Sequence, residues 1–252
     1  MDEDQFVKRA QALVTDVARS SLAGLQRART GRGTITEQQI NLYRQVDLGL
    51  RAAELFADVK LACGKGCSYC CHYRVMVTAT EAFAIADAIQ SRFDIDQRGT
   101  LIEKLKANRA LTAPMTAKEH EATNIACAFL AGDGACIVYD SRPIACRKHH
   151  SADVTPCKIT FDDPSVSMGS PQSPPRREIA EGVISGSMLA ARDAGVDTSF
   201  YEMTAAVLEA LESKSAAKRW RAGKVAFPGV RDRTSDTGIV GFDELPPVSQ
   251  LG

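Results

Sequence analysis

All eight cysteines of this chain fall between Cys63 and Cys157. Four are packed as Cys63-Gly-Lys-Gly-Cys67-Ser-Tyr-Cys70-Cys71, and four are spread as Cys127, Cys136, Cys146 and Cys157. A thiolate is a strong ligand for metals, so this clustering points to metal chemistry rather than to scattered buried thiols. The C-x2-C pair Cys67 and Cys70 allows one tight turn to aim two sulphurs at the same ion. Gly64 and Gly66 leave the backbone free to wrap around the sulphurs, and Lys65 adds a positive charge beside them. Neighbouring side chains in extended backbone point to opposite sides. Cys70 and Cys71 therefore do not aim at one small ion: one of them serves a second site, a different iron of a larger cluster, or stays a buried thiol.

The second block has gaps of eight, nine and ten residues, too loose to be a metal motif by themselves. Its case rests on context. Cys136-Ile-Val-Tyr139-Asp-Ser-Arg142-Pro143-Ile-Ala-Cys146-Arg147 places two cysteines on either side of a turn, with two arginines able to offset thiolate charge. His149 and His150 follow closely and are expected to be solvated on a polar loop rather than to be ligands. Tyr139 is expected to pack with its hydroxyl partnered, and Glu81 is accounted for by helix capping.

These residues resemble a known family, the YkgJ-type cysteine-cluster family, described as a zinc- or iron-chelating domain. The resemblance covers about residues 63 to 157: Cys63, Cys67, Cys70 and Cys71 match its C-x2-C-x2-C-C block, and Cys127-Ala-Phe-Leu130 matches its next element. Cys136 through Arg147 matches its C-x-x-Y-x-x-R-P-x-x-C-R signature, and Cys157 its last cysteine. One departure is the three residues between Cys63 and Cys67, where the family pattern has two. The family is in turn similar to the cysteine-rich part of flagellin lysine N-methylases, which implies an iron–sulphur cluster and makes redox or methyl-transfer chemistry an alternative activity.

Composition narrows the setting. With 31 Lys+Arg against 31 Asp+Glu the formal charge is zero, so no overall field favours nucleic acid or anionic lipid. The acidic start MDEDQFVKRAQALV lacks the basic stretch and apolar run of a secretory signal, and no apolar run approaches the roughly 18 to 20 residues of a membrane span. A cytoplasmic protein without nucleic-acid or membrane partners is expected. In that reducing compartment, eight cysteines read as ligands rather than as disulfides.

The elements around the cysteines read as helices. Residues from Asp4 to about Arg29 are helix-compatible, Gly31-Arg-Gly33 interrupts, and Ile40, Tyr43, Val46, Leu50, Ala53 and Ala57 recur at helical spacing. Tyr73–Val77 looks extended, and Thr78-Ala-Thr-Glu81 has the spacing of a capping box ahead of a further helix. Another helix is expected from Gln97 to about Ala110, ended before Pro114. Between Cys127 and Cys157 only Ile137–Tyr139 reads as strand. Residues 162–175 form a Pro/Ser/Gly-rich linker, and helices resume around Ala180–Met188 and from Phe200 through Leu211. The basic stretch Lys214–Lys224 around Trp220 reads as a solvated helix end.

The expected fold is mainly α, with helices flanking a loop-rich cysteine-cluster metal-binding centre. Its parts are an N-terminal helical hairpin (1–60), the cysteine-cluster domain (61–160), C-terminal helices on the same core (176–222) and a poorly ordered tail (224–252). The expected cofactor is an iron–sulphur cluster of the 4Fe–4S type or zinc, held by all eight cysteines, since thiolate-only ligation suits both. A protein partner is a further expectation, and a zinc-stabilised interaction module is the remaining alternative.

Overall fold

A computed structural model describes residues 3–64, 66–166, 168–231 and 244–251. The fold is mainly α: ten helices and one small two-stranded sheet among the described residues. Helix α1 (Glu3–Arg29) and helix α2 (Ile35–Ala57) form an antiparallel pair, with Thr34 capping α2 in a reciprocal capping box with Glu37. Helix α8 (Pro174–Asp193) packs along both, α1 above all. Their shared apolar face gathers Phe6, Val17, Leu42, Tyr43, Val46, Leu50, Ile179 and Val183 into one core.

A second core lies around helix α3 (Ala79–Arg92), which packs on α2 and on helix α9 (Met203–Glu212). Helix α4 (Ile95–Thr112) closes it, capped by Asp94 and Gln97, with Leu101 and Leu105 turned inward. The α3 start carries the capping box expected from sequence: Thr78 accepts from the Glu81 N–H while Glu81 accepts from the Thr78 N–H. The extended stretch before it becomes strand β1 (Met76–Thr78), which pairs antiparallel with strand β2 (Phe200–Glu202). Phe200 is therefore in a strand and α9 begins only at Met203. The pairing supplies β1 with backbone partners 122 to 126 residues away, which no local pattern encodes.

Helix α10 (Ala216–Arg221) ends in the basic stretch, and Lys214, Lys218, Arg221 and Lys224 are exposed as a solvated helix end requires, while its other side turns inward. Trp220 has no exposed surface and belongs to the second core, while Arg219 meets Glu209 at 3.3 Å and donates to the Ala226 carbonyl. The expected tail is only partly described, since 232–243 lie outside the described residues. Of the rest, Ala226, Phe227 and Val248 are buried in the second core, Phe227 against Phe83 and Tyr201. Three apolar side chains are enough to dock a segment that shows no periodicity. No helix among the described residues is long and apolar enough to cross a membrane.

The cysteine-rich segment is laid across both cores. Ala128, Phe129 and Val138 are buried in the second core, and Ile144 in the first. Fully burying a side chain such as Phe129 contributes about 1.5–3 kcal/mol, so these apolar anchors hold loops that have little core of their own.

Candidate metal centre

The first cysteine block is a turn followed by a short 3-10 helix at Tyr69–His72, which contains Cys70 and Cys71. Gly66 has φ +87° and Gly134 has φ +80°, both in the left-handed region. The two loops meet there: a Cβ on Gly134 would lie 2.7 Å from the Gly66 carbonyl oxygen. Close backbone approach thus joins the Cys63–Cys71 loop to the turn before Cys136. Lys65, expected to add charge at this loop, lies outside the described residues.

Backbone hydrogen bonds tie the blocks together elsewhere. The Cys127 N–H donates to the Cys71 carbonyl at 2.8 Å, and the Ala62 N–H to the Ser151 carbonyl at 2.9 Å. Three sulphurs also accept a backbone N–H: Cys63 from Ser151 at 3.3 Å, Cys127 from Phe129 and Cys136 from Val138. Such bonds favour the thiolate and orient the sulphur.

Two short helices complete the segment, neither of them expected from sequence. Helix α6 (Ile144–Lys148) carries Cys146, and helix α7 (Thr155–Asp162) carries Cys157, with Pro156 tolerated in its first turn. Helix α7 rests on the Tyr69–His72 turn through Phe161, which meets the Tyr69 and His72 rings edge-on at 5.5 and 4.7 Å. Just before α6, Tyr139 lies in a 3-10 turn, not the expected strand, and it is 56 % exposed. Its ring faces the Arg142 guanidinium at 3.7 Å instead of packing inward.

All eight cysteines are free thiols. The electrostatics sort them into two sets. Burial pushes the Cys127 thiol up to about 12, with charge on Cys136 and Cys71 adding to the shift. Burial likewise raises Cys146, helped by Cys127, Cys71 and Cys136, and raises Cys136, helped by Cys71. Cys71, Cys127, Cys136 and Cys146 therefore lie within one another's field. Arg142 opposes the shift at Cys136 and Cys146 and lowers Cys71, so its charge serves this set.

The other set centres on Cys63, which burial raises and which Cys67 and Cys157 raise further, against the Ser151 N–H and Arg176. Cys70 joins the sets. A hydrogen bond between the Cys70 and Cys71 thiols is the largest influence on both, holding the proton on Cys70 and releasing it from Cys71, and Cys70 also feels Cys146 and Cys63. Among the described residues no three His, Cys, Asp or Glu side chains are gathered at the spacing of a metal site. The chemistry of the donors nonetheless fits a thiophilic metal: free sulphurs within one another's electrostatic influence, backbone N–H groups on three of them, and a guanidinium that acts on them. A bound cation reverses the upward shifts, because ligation takes the thiolate.

The histidines behave differently from the sequence expectation. His150 is buried, its Nδ1–H donating to the Lys148 carbonyl at 2.7 Å while Nε2 accepts from the Ser173 N–H at 2.8 Å. Both ring nitrogens are used, so His150 is a structural joint and not a ligand. His149 is half-buried, edge-on to Tyr73 at 5.8 Å, with Nε2 enclosed.

Arg147 also departs from its expected role. It is buried, donates Nε to the Arg142 carbonyl at 2.8 Å and Nη1 to Asp47 at 2.7 Å, and stacks on Tyr43 at 4.2 Å. This fork fastens the turn that carries Arg142 to α2, leaving Arg142 to face the thiols. Ser151 and Arg176, and the second contact of Glu81 beyond its helix cap, are the supporting features that sequence reasoning missed. Each acts on a partner at least 60 residues away, so no local spacing signals them.

The segment thus presents eight free cysteines on loops and short helices. Residues 62–163 match the family model CxxCxxCC, described as a "Putative zinc- or iron-chelating domain". No curated protein and no solved structure matches the chain.

Proposed function

We propose that the chain binds metal through two adjoining thiolate sets, Cys71, Cys127, Cys136 and Cys146 in one and Cys63, Cys67, Cys70 and Cys157 in the other. The observation that carries this reading is the mutual electrostatic contact within Cys71, Cys127, Cys136 and Cys146, which come from four separate backbone segments. The other set rests on the contact of Cys63 with Cys67 and Cys157; Cys70, which feels Cys71 and Cys146 more strongly than Cys63, links it to the first.

An all-thiolate set accepts zinc or the iron of a 4Fe–4S cluster. Zinc would supply cohesion to loops with little core, and a cluster would supply a redox centre. The chain's own residues hold the loops together, offset thiolate charge through Arg142 and present backbone N–H groups to Cys63, Cys127 and Cys136. Eight free thiols suit a reducing compartment, and the cytoplasm is the assigned location.

The test is the metal content of Cys136→Ser and Cys157→Ser beside the native chain, purified without oxygen. Each variant is expected to lose the metal of its own set and keep that of the other. Loss of all metal in both variants would replace two sets by one shared site.

A further inference from the structure

A cavity of about 300 Å³ lies where the two cores meet. Leu42 and Ile144 of the first core line one part of its wall, and Leu25 and Val196 of the second core line another. Met76, Ile184, Ala191 and Phe200 of the same wall keep solvent-accessible surface, so the lining is reachable rather than sealed. Among the described residues no cysteine lines this cavity. Helix α6 divides it from the thiols. Successive helical residues are about 100° apart, so Ile144, Ala145 and Lys148 share one side of α6, and all three line the apolar cavity. Cys146 and Arg147 take the other side and line a separate cavity of about 560 Å³ beside Cys63.

Protein interiors are close-packed, with few voids larger than a water molecule. An apolar cavity of about 150 Å³ already takes up benzene, and this one has about twice that volume. Space of that size between two otherwise packed cores marks the place of a ligand. The charges on the wall say which kind. Lys148 stands there against Glu81 and Asp197. Both carboxylates are already engaged, Glu81 by the N–H groups of Thr78 and Ile144, and Asp197 by those of Ser199 and Ala226 and by the Tyr201 hydroxyl. An anion therefore meets no excess of positive charge, and a cation finds the acids satisfied. An uncharged molecule loses neither way, because its apolar surface leaves water for an apolar lining.

We propose that this cavity binds a small, uncharged, mainly apolar molecule, held among Leu25, Leu42, Met188 and Phe200 and resting on Ile144 and Ala145 of α6. The bound molecule fills the seam between the two cores and packs on α6 from the side opposite Cys146. The site goes beyond metal binding and does not depend on which metal the thiols take.

The test is calorimetric titration of the full chain with n-octanol and, separately, with octanoate and octylammonium, which share its chain length and differ in charge. Methionine methyl signals are followed by 13C–1H spectra in parallel: Met76 and Met188 line the cavity, whereas Met115 and Met168 do not. Metal content is measured on the same samples, so that a failure of metal binding is recognised independently. One saturable site for n-octanol is expected, with the Met76 and Met188 methyl signals moving and those of Met115 and Met168 staying in place. Both charged analogues are expected to bind more weakly. Ala191→Leu fills the cavity from α8 and is expected to weaken n-octanol binding about tenfold, the equivalent of about 1.4 kcal/mol. If that variant does not fold, the methyl shifts of the native chain carry the test. Absence of a saturable site, shifts spread evenly over these methionines, a charged analogue binding as tightly as n-octanol, or binding unchanged in Ala191→Leu would overturn the proposal.

Discussion

The carboxylate of Glu81 accepts the backbone N–H of Ile144 at 2.7 Å while its other oxygen caps α3 at Thr78. One buried side chain thus fixes the start of the helix that carries Cys146 onto the helix at the centre of the fold. Burial pushes its carboxyl above the usual range, against the N–H groups of Ile144 and Thr78 that favour the charged form. Replacing Glu81 by Ala leaves two backbone donors unpaired, and a loss of about 1–3 kcal/mol each is expected in urea denaturation. The same variant should retain metal less firmly, read as faster transfer to a chelator.

The approach of Gly134 to Gly66 yields a second prediction. Gly134→Ala sets a Cβ 2.7 Å from a carbonyl oxygen at a positive φ, and a destabilisation of about 1–3 kcal/mol is expected. Gly64→Ala is the control, since nothing lies within 4 Å of its Cβ position; a change within about 0.5 kcal/mol is expected there. Thermal and urea denaturation of both variants check the contrast.

Arg147 joins the Arg142 turn to α2 through a fork that lysine cannot copy. Arg147→Lys keeps the charge near Asp47 but gives up donors to the carbonyls of Arg142 and Asp140. It is expected to cost about 1–3 kcal/mol, despite being conservative in charge. A denaturation curve for Arg147→Lys that overlays the native one would contradict this role.

His150 gives the fold a pH dependence. Burial holds its imidazole below the usual value, helped by the charge of Arg176 and opposed by the Lys148 carbonyl, and protonation would also displace the Ser173 N–H from Nε2. A base whose folded pKa is depressed binds its proton more readily when unfolded. Its contribution is therefore fully present above the unfolded value of about 6.5 and is lost as pH falls through the folded one. His150→Gln should flatten the loss of thermal stability on acidification below about pH 6.5, measured against the native chain in the same buffers.

The helical frame was legible because its signals are local. Thr78 and Glu81 lie three residues apart, and the spacing of Val46, Leu50 and Ala53 reports their own helix face. What escaped reading was tertiary. Phe200 becomes a strand only because Met76–Thr78 offers it an edge, His150 is buried only because Ser173 arrives from 23 residues on, and Phe227 and Val248 dock without any periodic pattern. The cysteines divide in the same way. Their types and number were plain in the sequence, whereas the grouping of Cys71 with Cys127, Cys136 and Cys146 depends on the Cys127 N–H reaching the Cys71 carbonyl and on α6 docking against Glu81.

The most direct measurement is metal and acid-labile sulphide analysis of the native chain purified without oxygen, with its absorption spectrum. Bound zinc, or iron with labile sulphide, in fixed proportion to protein is the predicted result. A metal-free chain whose eight cysteines titrate as free thiols or as disulfides would contradict the account.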